Sequence, residues 1–421
     1  MNISYSKNTS NTSNTSTNFY NFCIVGAGFA GIVLALLLAK QKRDKKIIIL
    51  EKNNQFASDF RGDTLYPNTL KFFENIGLVE KILQLPHRKI KRLNFNFDNS
   101  LTKEIIDIGG TNKKYSFIAV FSRIHLFTFL IEEILKNRNV QIVMGAKVDK
   151  LIEENGIIKG VQYFNINNNQ RHKIRAELTI GADGNHSCIK QLSKLKSIFQ
   201  KKFPAQICLW KTKVEEPYQY NKANIKPETI VGSANGNFAG AAFLDVQNEI
   251  QLICITHHVR AIQNKEQILL GIRQAVNKLC FNYALEEISW NKIKILPVED
   301  FYYLRRSYKN GLVLIGDAAH NTPLFPKAID FAIQDALALS KLIKNADNQY
   351  QKVSLYKLDL LYKLRIIKLI PYFALFIPFN FLFLTNTKNS KYFSIVHKLF
   401  GKLISELSLV SSSIATFIVN W

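Results

Sequence analysis

Phe19-Tyr20-Asn21-Phe22-Cys23-Ile24-Val25-Gly26-Ala27-Gly28-Phe29-Ala30-Gly31, followed by the Leu- and Ala-rich stretch to Lys40 and by Ile47-Ile48-Ile49-Leu50-Glu51, decides the fold. The short apolar run Phe19–Val25 reads as a buried strand, Ala30–Lys40 as a helix, and the β-branched Ile47–Leu50 as a second buried strand, the start of a parallel sheet. Between strand and helix stands G-x-G-x-x-G. Gly26 permits a tight turn, Gly28 lets the backbone approach a pyrophosphate, and Gly31 lets helix and strand pack closely, with the helix N-terminus facing the phosphates. Glu51 closes the second strand 20 positions after Gly31, where an acid accepts hydrogen bonds from the ribose of an adenosine. Strand, helix, strand and acid together separate this pattern from a Gly-rich turn beside a surface Glu.

Outward from that unit, a helix is expected over Pro67–Asn75, stopping near Gly77. Leu93–Phe97 alternates like a half-exposed strand, and Ile124–Lys136 reads as a helix. Val140–Tyr163 reads as strands turning at Asn155-Gly156. From about Phe203 to Pro297 short alternating runs, with one helix near Gln267–Cys280, suggest an inserted antiparallel sheet. The chain then returns to a buried strand, Gly311–Ile315, and a long helix from about Phe331 to Lys344. The expected architecture is α/β, a Rossmann-like nucleotide domain with an inserted antiparallel-sheet substrate domain and a C-terminal helical segment. Residues 1–18 form a disordered tail, 19–200 and 299–345 the discontinuous nucleotide domain, 201–298 the substrate domain, and 346–421 the helical region.

Among 421 residues, 47% are hydrophobic, which supplies core for two domains. Lys and Arg number 56 against 32 acidic residues, a formal charge of +24. Such a balance attracts anionic molecules and headgroups, but the cations are scattered, and no run of five or six like charges marks a nucleic-acid arm. No nucleic-acid partner is therefore expected. Cys23, Cys188, Cys208, Cys254 and Cys280 are widely spaced and form no C-x-x-C pair, which implies neither a disulfide framework nor a metal site and fits a reducing cytoplasm. The Asn-Thr-Ser repeats of the first 18 residues have no apolar core and read as a flexible tail. Leu369–Leu384 is almost wholly apolar but holds Pro371 and Pro378 and is short for a membrane span; it reads as a helical pair packed on the body, with peripheral membrane contact as the alternative.

Two later segments fix the kind of dinucleotide. Ile180-Gly181-Ala182-Asp183-Gly184 ends a strand in a turn, and Gly311–Ile315 leads into Gly316-Asp317-Ala318-Ala319-His320. With Arg61-Gly62-Asp63-Thr64-Leu65-Tyr66-Pro67 between them and the first unit, the chain resembles the FAD-dependent aromatic-ring hydroxylases, single-component flavin monooxygenases of the para-hydroxybenzoate hydroxylase type. The resemblance implies FAD as cofactor, with Gly26, Ala27, Gly28, Ala30, Gly31, Glu51, Lys52, Arg61, Arg123, Asp183, Gly316, Asp317 and Ala328 around it. In that reading Arg61 and Arg123 neutralise or orient the diphosphate and ribityl region, Asp317 accepts from the ribityl chain, and Asp183 braces the pyrophosphate side. Pro323 and Phe325 would touch substrate, in a pocket lined also from about Ala205 to His258. His257 and His258 are adjacent, so at most one faces that pocket, and no general base is named.

The family usually carries a Gly-Gly-x-Gly-x-Asn run after the histidine. Here Pro323–Phe331 has no glycine, Pro326 cannot donate, and Asp330 stands for the Asn. Flavin that sits differently, binds weakly or is absent are all compatible with that change. The implied reaction uses NADH or NADPH and oxygen to hydroxylate a small aromatic or similar electron-rich substrate through a flavin C4a-hydroperoxide. The alternatives are a FAD-dependent reductase or halogenase of the same superfamily, although the halogenase W-x-W-x-I-P signature is missing, or a degenerate non-catalytic scaffold.

Overall fold

The computed structural model describes residues 18–55, 62–98, 101–111, 114–201, 205–213, 227–235, 238–257, 269, 293–297, 301–321, 328–346 and 355–365. Arg61, Pro323, Phe325, His258, the tail to residue 17, the run 369–384 and, apart from residue 269, the helix expected over 267–280 lie outside them. The described residues fall into two compact units, one drawn from 1–57, 127–202 and 299–367, the other from 58–126, 203–298 and 368–421.

The first unit is built on the sheet that the opening residues foretell. Asn18–Val25 pairs in parallel with Ile47–Glu51 on one side and with Gln170–Gly181 on the other. Val140–Met144 and Leu312–Leu314 extend the parallel run at either end, and Tyr308–Lys309 closes one edge. Ile47–Glu51 is buried along its whole length, as strands covered on both faces must be. Helix Phe29–Gln41 buries every residue from Phe29 to Ala39 and packs against helix Ala328–Lys344 and the first two strands. An all-apolar helix of this kind is stable only when surrounded, which explains why its sequence lacks a polar stripe. Ala146–Glu154 and Ile157–Asn165 form an antiparallel hairpin whose turn residues, Asn155 and Gly156, both take positive φ (51° and 74°), matching the Asn-Gly signal.

The second unit holds a seven-stranded sheet in the order Lys294–Pro297, Ala205–Lys213, Glu249–His257, Phe238–Leu244, Thr229–Asn235, Arg92–Asp98, Leu101–Asp107. The pair Arg92–Asp98 and Thr229–Asn235 runs parallel, with Asn94 opposite Val231. Strands 92–107, which the sequence places in the nucleotide domain, therefore extend the sheet of the inserted region. The cause is apolar burial: Ile106, Ile108, Phe243 and Tyr66 share one core with Leu93, Ile230 and Ile253. This unit also holds a small sheet of Gly62–Leu65, Ile118–Ser122 and His87–Ile90 and the helices Pro67–Asn75 and Val79–Gln84.

The helical residues 356–365 differ in another way from a separate C-terminal region, because they belong to the first unit. Asp359 Oδ1 accepts from the Ser307 N–H and hydroxyl at 2.9 and 2.6 Å, and the Tyr362 hydroxyl donates to the Leu314 carbonyl at 3.3 Å. Among the described residues, no helix is long and apolar enough to cross a membrane.

Candidate functional site

Strand Asn18–Val25 ends where Gly26 turns the chain at φ +104°, with its N–H on the Leu50 carbonyl at 2.8 Å. A Cβ at Gly26 would stand 2.4 Å from the Ala182 carbonyl oxygen, and one at Gly31 2.0 Å from that of Gly26. Both glycines are thus demanded by the protein's own packing. Gly28 is different: its φ of −77° suits any residue, and a Cβ there would meet only Ala182 O at 4.0 Å. No described residue requires a glycine at that point, whereas a ligand pressed against the backbone would.

Gly28 is also the cap of helix Phe29–Gln41. It offers no side-chain acceptor to the first-turn N–H groups, and that turn carries no acid. An apolar helix N-terminus left in this state presents donors and a partial positive charge to an anion. Glu51, 9% exposed, braces the loop from the neighbouring strand: Oε2 accepts from the Ala27 N–H at 2.9 Å, and Oε1 accepts from the Asn53 N–H and side-chain amide at 3.0 and 2.7 Å. Oε2 keeps a second acceptor position for a ribose hydroxyl. Lys52, next to it, is exposed.

The Ala182–Gly184 turn lies against this loop. Asp183 Oδ1 accepts from the Ser187 hydroxyl at 2.6 Å and Oδ2 from the Ile189 N–H at 3.1 Å, so both oxygens help to start helix Cys188–Ser193. Burial first, and then the charge of Asp183, pushes the Cys188 thiol up to about 12, which keeps it protonated and inert.

Gly316, at φ +61°, completes the floor. A Cβ there would lie 3.0 Å from Ala30 Cβ and 3.7 Å from Ala332 Cβ, so the Gly316–Ala318 turn, the glycine loop and helix Ala328–Lys344 meet at one place. Asp317 is half-buried on that turn, and its carbonyl accepts from the Tyr302 hydroxyl. Ala328 starts the helix, three residues before the expected Phe331. Asp330 is buried in its first turn, where a negative charge suits the helix dipole.

A cluster that sequence reasoning missed holds this floor in place. Asp335 Oδ2 accepts from the Gly316 N–H at 2.8 Å and lies 2.7 Å from His320 Nε2, while Oδ1 accepts from Arg365 Nη2 at 2.8 Å. Burial alone would raise the Asp335 carboxyl; the charges of Arg365 and His320 outweigh it and hold the group at about 2. His320 Nε2 also lies 3.1 Å from Arg365 Nη1, so imidazole, carboxylate and guanidinium close on one another. The Gly-Asp-Ala-Ala-His motif marked His320, but an Asp within a helix and an Arg after an apolar stretch carry no local sign of being buried together.

The structure thus brings together Gly26, Ala27, Gly28, Ala30, Gly31, Glu51, Asp183 and Gly316. Arg123 lies in the other unit as the chain is divided, with Nη2 2.5 Å from the buried Asp63 carboxylate. Open backbone at Gly28, an uncapped helix start and an acid at the end of the second strand fit a dinucleotide.

Fold and site define a flavin-adenine-dinucleotide protein. The chain matches the FAD binding domain family over residues 20–352 and belongs to it; it is a flavoprotein oxidoreductase with FAD as cofactor. The 6-methylpretetramide 4-monooxygenase of Streptomyces rimosus is 25% identical over 320 residues, 75% of this chain and 73% of that protein. Among solved structures, Pseudomonas aeruginosa PqsL in complex with 2-aminobenzoylacetate matches at TM-score 0.65 and 17% identity, over 81% of this chain and 92% of that one. The p-nitrophenol 4-monooxygenase PnpA of Pseudomonas putida DLL-E4 matches at TM-score 0.70 and 14% identity, over 96% and 98%. At these identities the two structural likenesses are of fold.

Proposed function

We propose that this chain uses NADH or NADPH and oxygen to hydroxylate a small aromatic or similarly electron-rich substrate. The observation that carries the reading is the bare backbone at Gly28 at the uncapped start of an apolar helix: space and charge for a diphosphate, which no described residue otherwise fills. Similar proteins support the substrate class: one is a 6-methylpretetramide 4-monooxygenase and another a p-nitrophenol 4-monooxygenase.

Bound FAD would supply reduction by the nicotinamide and activation of oxygen at its C4a carbon. The chain's part is to bind and orient. First-turn amides at Gly28–Gly31 would receive the pyrophosphate, Glu51 Oε2 a ribose hydroxyl, and Asp317 the ribityl chain. Lys52, Arg61 and Arg123 would balance phosphate charge, the last while braced by Asp63. Asp183 acts more indirectly, setting the turn that supports Gly26 through Ala182. Gly316 and Ala328 would border the flavin, with Pro323 and Phe325 toward substrate.

The test is spectroscopic. Purified protein should carry or take up flavin, and the flavin should bleach with NADPH faster when a phenolic compound is added, with hydroxylated product formed. Flavin that is reduced without any hydroxylated product across an aromatic panel would point to a reductase. Protein that cannot be loaded with FAD would point to a scaffold.

A further inference from the structure

A second charged site lies at the other side of the parallel sheet. Tyr308–Lys309 is its edge strand, separated from Asn18–Val25 by Leu312–Leu314 and Gln170–Gly181. Beside this edge is a cleft of about 620 Å³ whose wall carries Lys196, Arg305, Arg306 and Lys363. None of these four makes an ion pair with another described residue. The single acid in the wall, Asp359, already accepts two hydrogen bonds from Ser307 through Oδ1.

Backbone hydrogen bonds set the positions of the residues that carry these cations. Arg305 N donates to the Lys196 carbonyl at 2.8 Å, which fixes those two side by side where strands Ser197–Lys201 and Phe301–Leu304 meet. The Leu314 N–H bonds the Ser307 carbonyl at 2.7 Å and Asp359 fastens the helix bearing Lys363 to Ser307, so the third and fourth cations share one rigid frame. Arg306 also rests over the Tyr308 ring at 5.4 Å. Four cations against one acid leave the cleft with a net positive charge that draws an anion toward it. The volume is that of a small-molecule site, and Tyr308 and Tyr356 add flat apolar wall.

We propose that this cleft binds a phosphate-bearing polyanion, at a site separate from the flavin's and independent of the flavin reading. The phosphate has two possible carriers, a soluble metabolite or a lipid headgroup. The second enters because Tyr356 and Leu360, which line the cleft, and Leu364 beyond them are 57%, 51% and 50% exposed at i, i+4 and i+8 along one helix face.

The full-length protein, supplied with excess FAD so that the Gly28 site is engaged, is titrated calorimetrically with inorganic pyrophosphate. In parallel it is sedimented with phosphatidylcholine vesicles with and without phosphatidylglycerol. Two double variants, R305Q/R306Q and K196Q/K363Q, are compared, with the melting temperature as a control that they fold. Pyrophosphate binding that weakens about tenfold or more in both variants supports the site with a soluble ligand. Sedimentation that needs phosphatidylglycerol and is lost in both variants supports it with a lipid headgroup. Wild-type protein that binds neither probe, or variants that bind as tightly as wild type, would overturn it.

Discussion

Gly26 and Gly28 are two residues apart and are held by opposite causes. A side chain at Gly26 meets the Ala182 backbone and a strained φ, so Gly26→Ala should destabilise the protein by about 1–3 kcal/mol or more, read as a lower urea midpoint with or without flavin. At Gly28 the same change finds open space, and the folded apoprotein should lose at most about 1 kcal/mol, from a poorer helix cap. FAD affinity should nevertheless fall by about tenfold or more in a fluorescence titration. If Gly28→Ala leaves flavin binding intact, the pyrophosphate does not sit there. Asp335 offers a second test at this scale. Its folded-state pKa of about 2 lies below the ordinary carboxylate value, so its contribution of about 2 kcal/mol is complete above about pH 4 and lost as pH falls toward 2. Asp335→Asn should remove that part of the acid dependence in denaturation curves, and at neutral pH should cost about 3–5 kcal/mol by leaving Arg365 buried without its counter-charge.

Among elements, helix Cys188–Ser193 separates structure from ligand. Ser187 caps it, accepting from the Lys190 N–H at 2.9 Å, and Ser187→Ala should cost about 1 kcal/mol. Hydrogen exchange should quicken locally while flavin affinity stays unchanged; a parallel loss of flavin would give this turn a direct part in binding. The elements legible in the sequence were those whose pattern is local and continuous: the β-branched run at Ile47, the apolar helix after Gly28, the Asn155-Gly156 turn. Helix Ala328–Lys344 was placed late because Phe331 is where its large apolar residues begin, although helical backbone begins three residues before. Pairing of Arg92–Asp98 with Thr229–Asn235 was not legible at all, since register between strands so distant in the chain is set by a shared core around Phe243 and Ile106, and alternation alone does not name a partner. In the site, Glu51 and the glycines stood out through spacing. The Asp335–Arg365 pair did not, because charged residues in helices are ordinarily on the surface.

At the scale of the whole molecule, a ligand that binds only the folded state adds stability by mass action. FAD at about a hundred times its dissociation constant should stabilise the protein by about 2.7 kcal/mol, and Gly28→Ala, binding about tenfold more weakly, should gain only about 1.4 kcal/mol at the same FAD concentration. Calorimetric scans with and without flavin would read it. An unchanged melting transition under saturating FAD would contradict binding at this loop.

The match to the FAD binding domain family stops at residue 352, yet Arg365, which neutralises the acid under the Gly316 turn, lies beyond it. A protein trimmed at the family's edge would retain every strand of the parallel sheet and still lose the partner of a fully enclosed negative charge. Shortened versions that keep the 355–365 helix should express as folded protein, and those that end before it should aggregate. The working limit of this domain is thus drawn by electrostatic closure, not by the last residue that resembles its relatives.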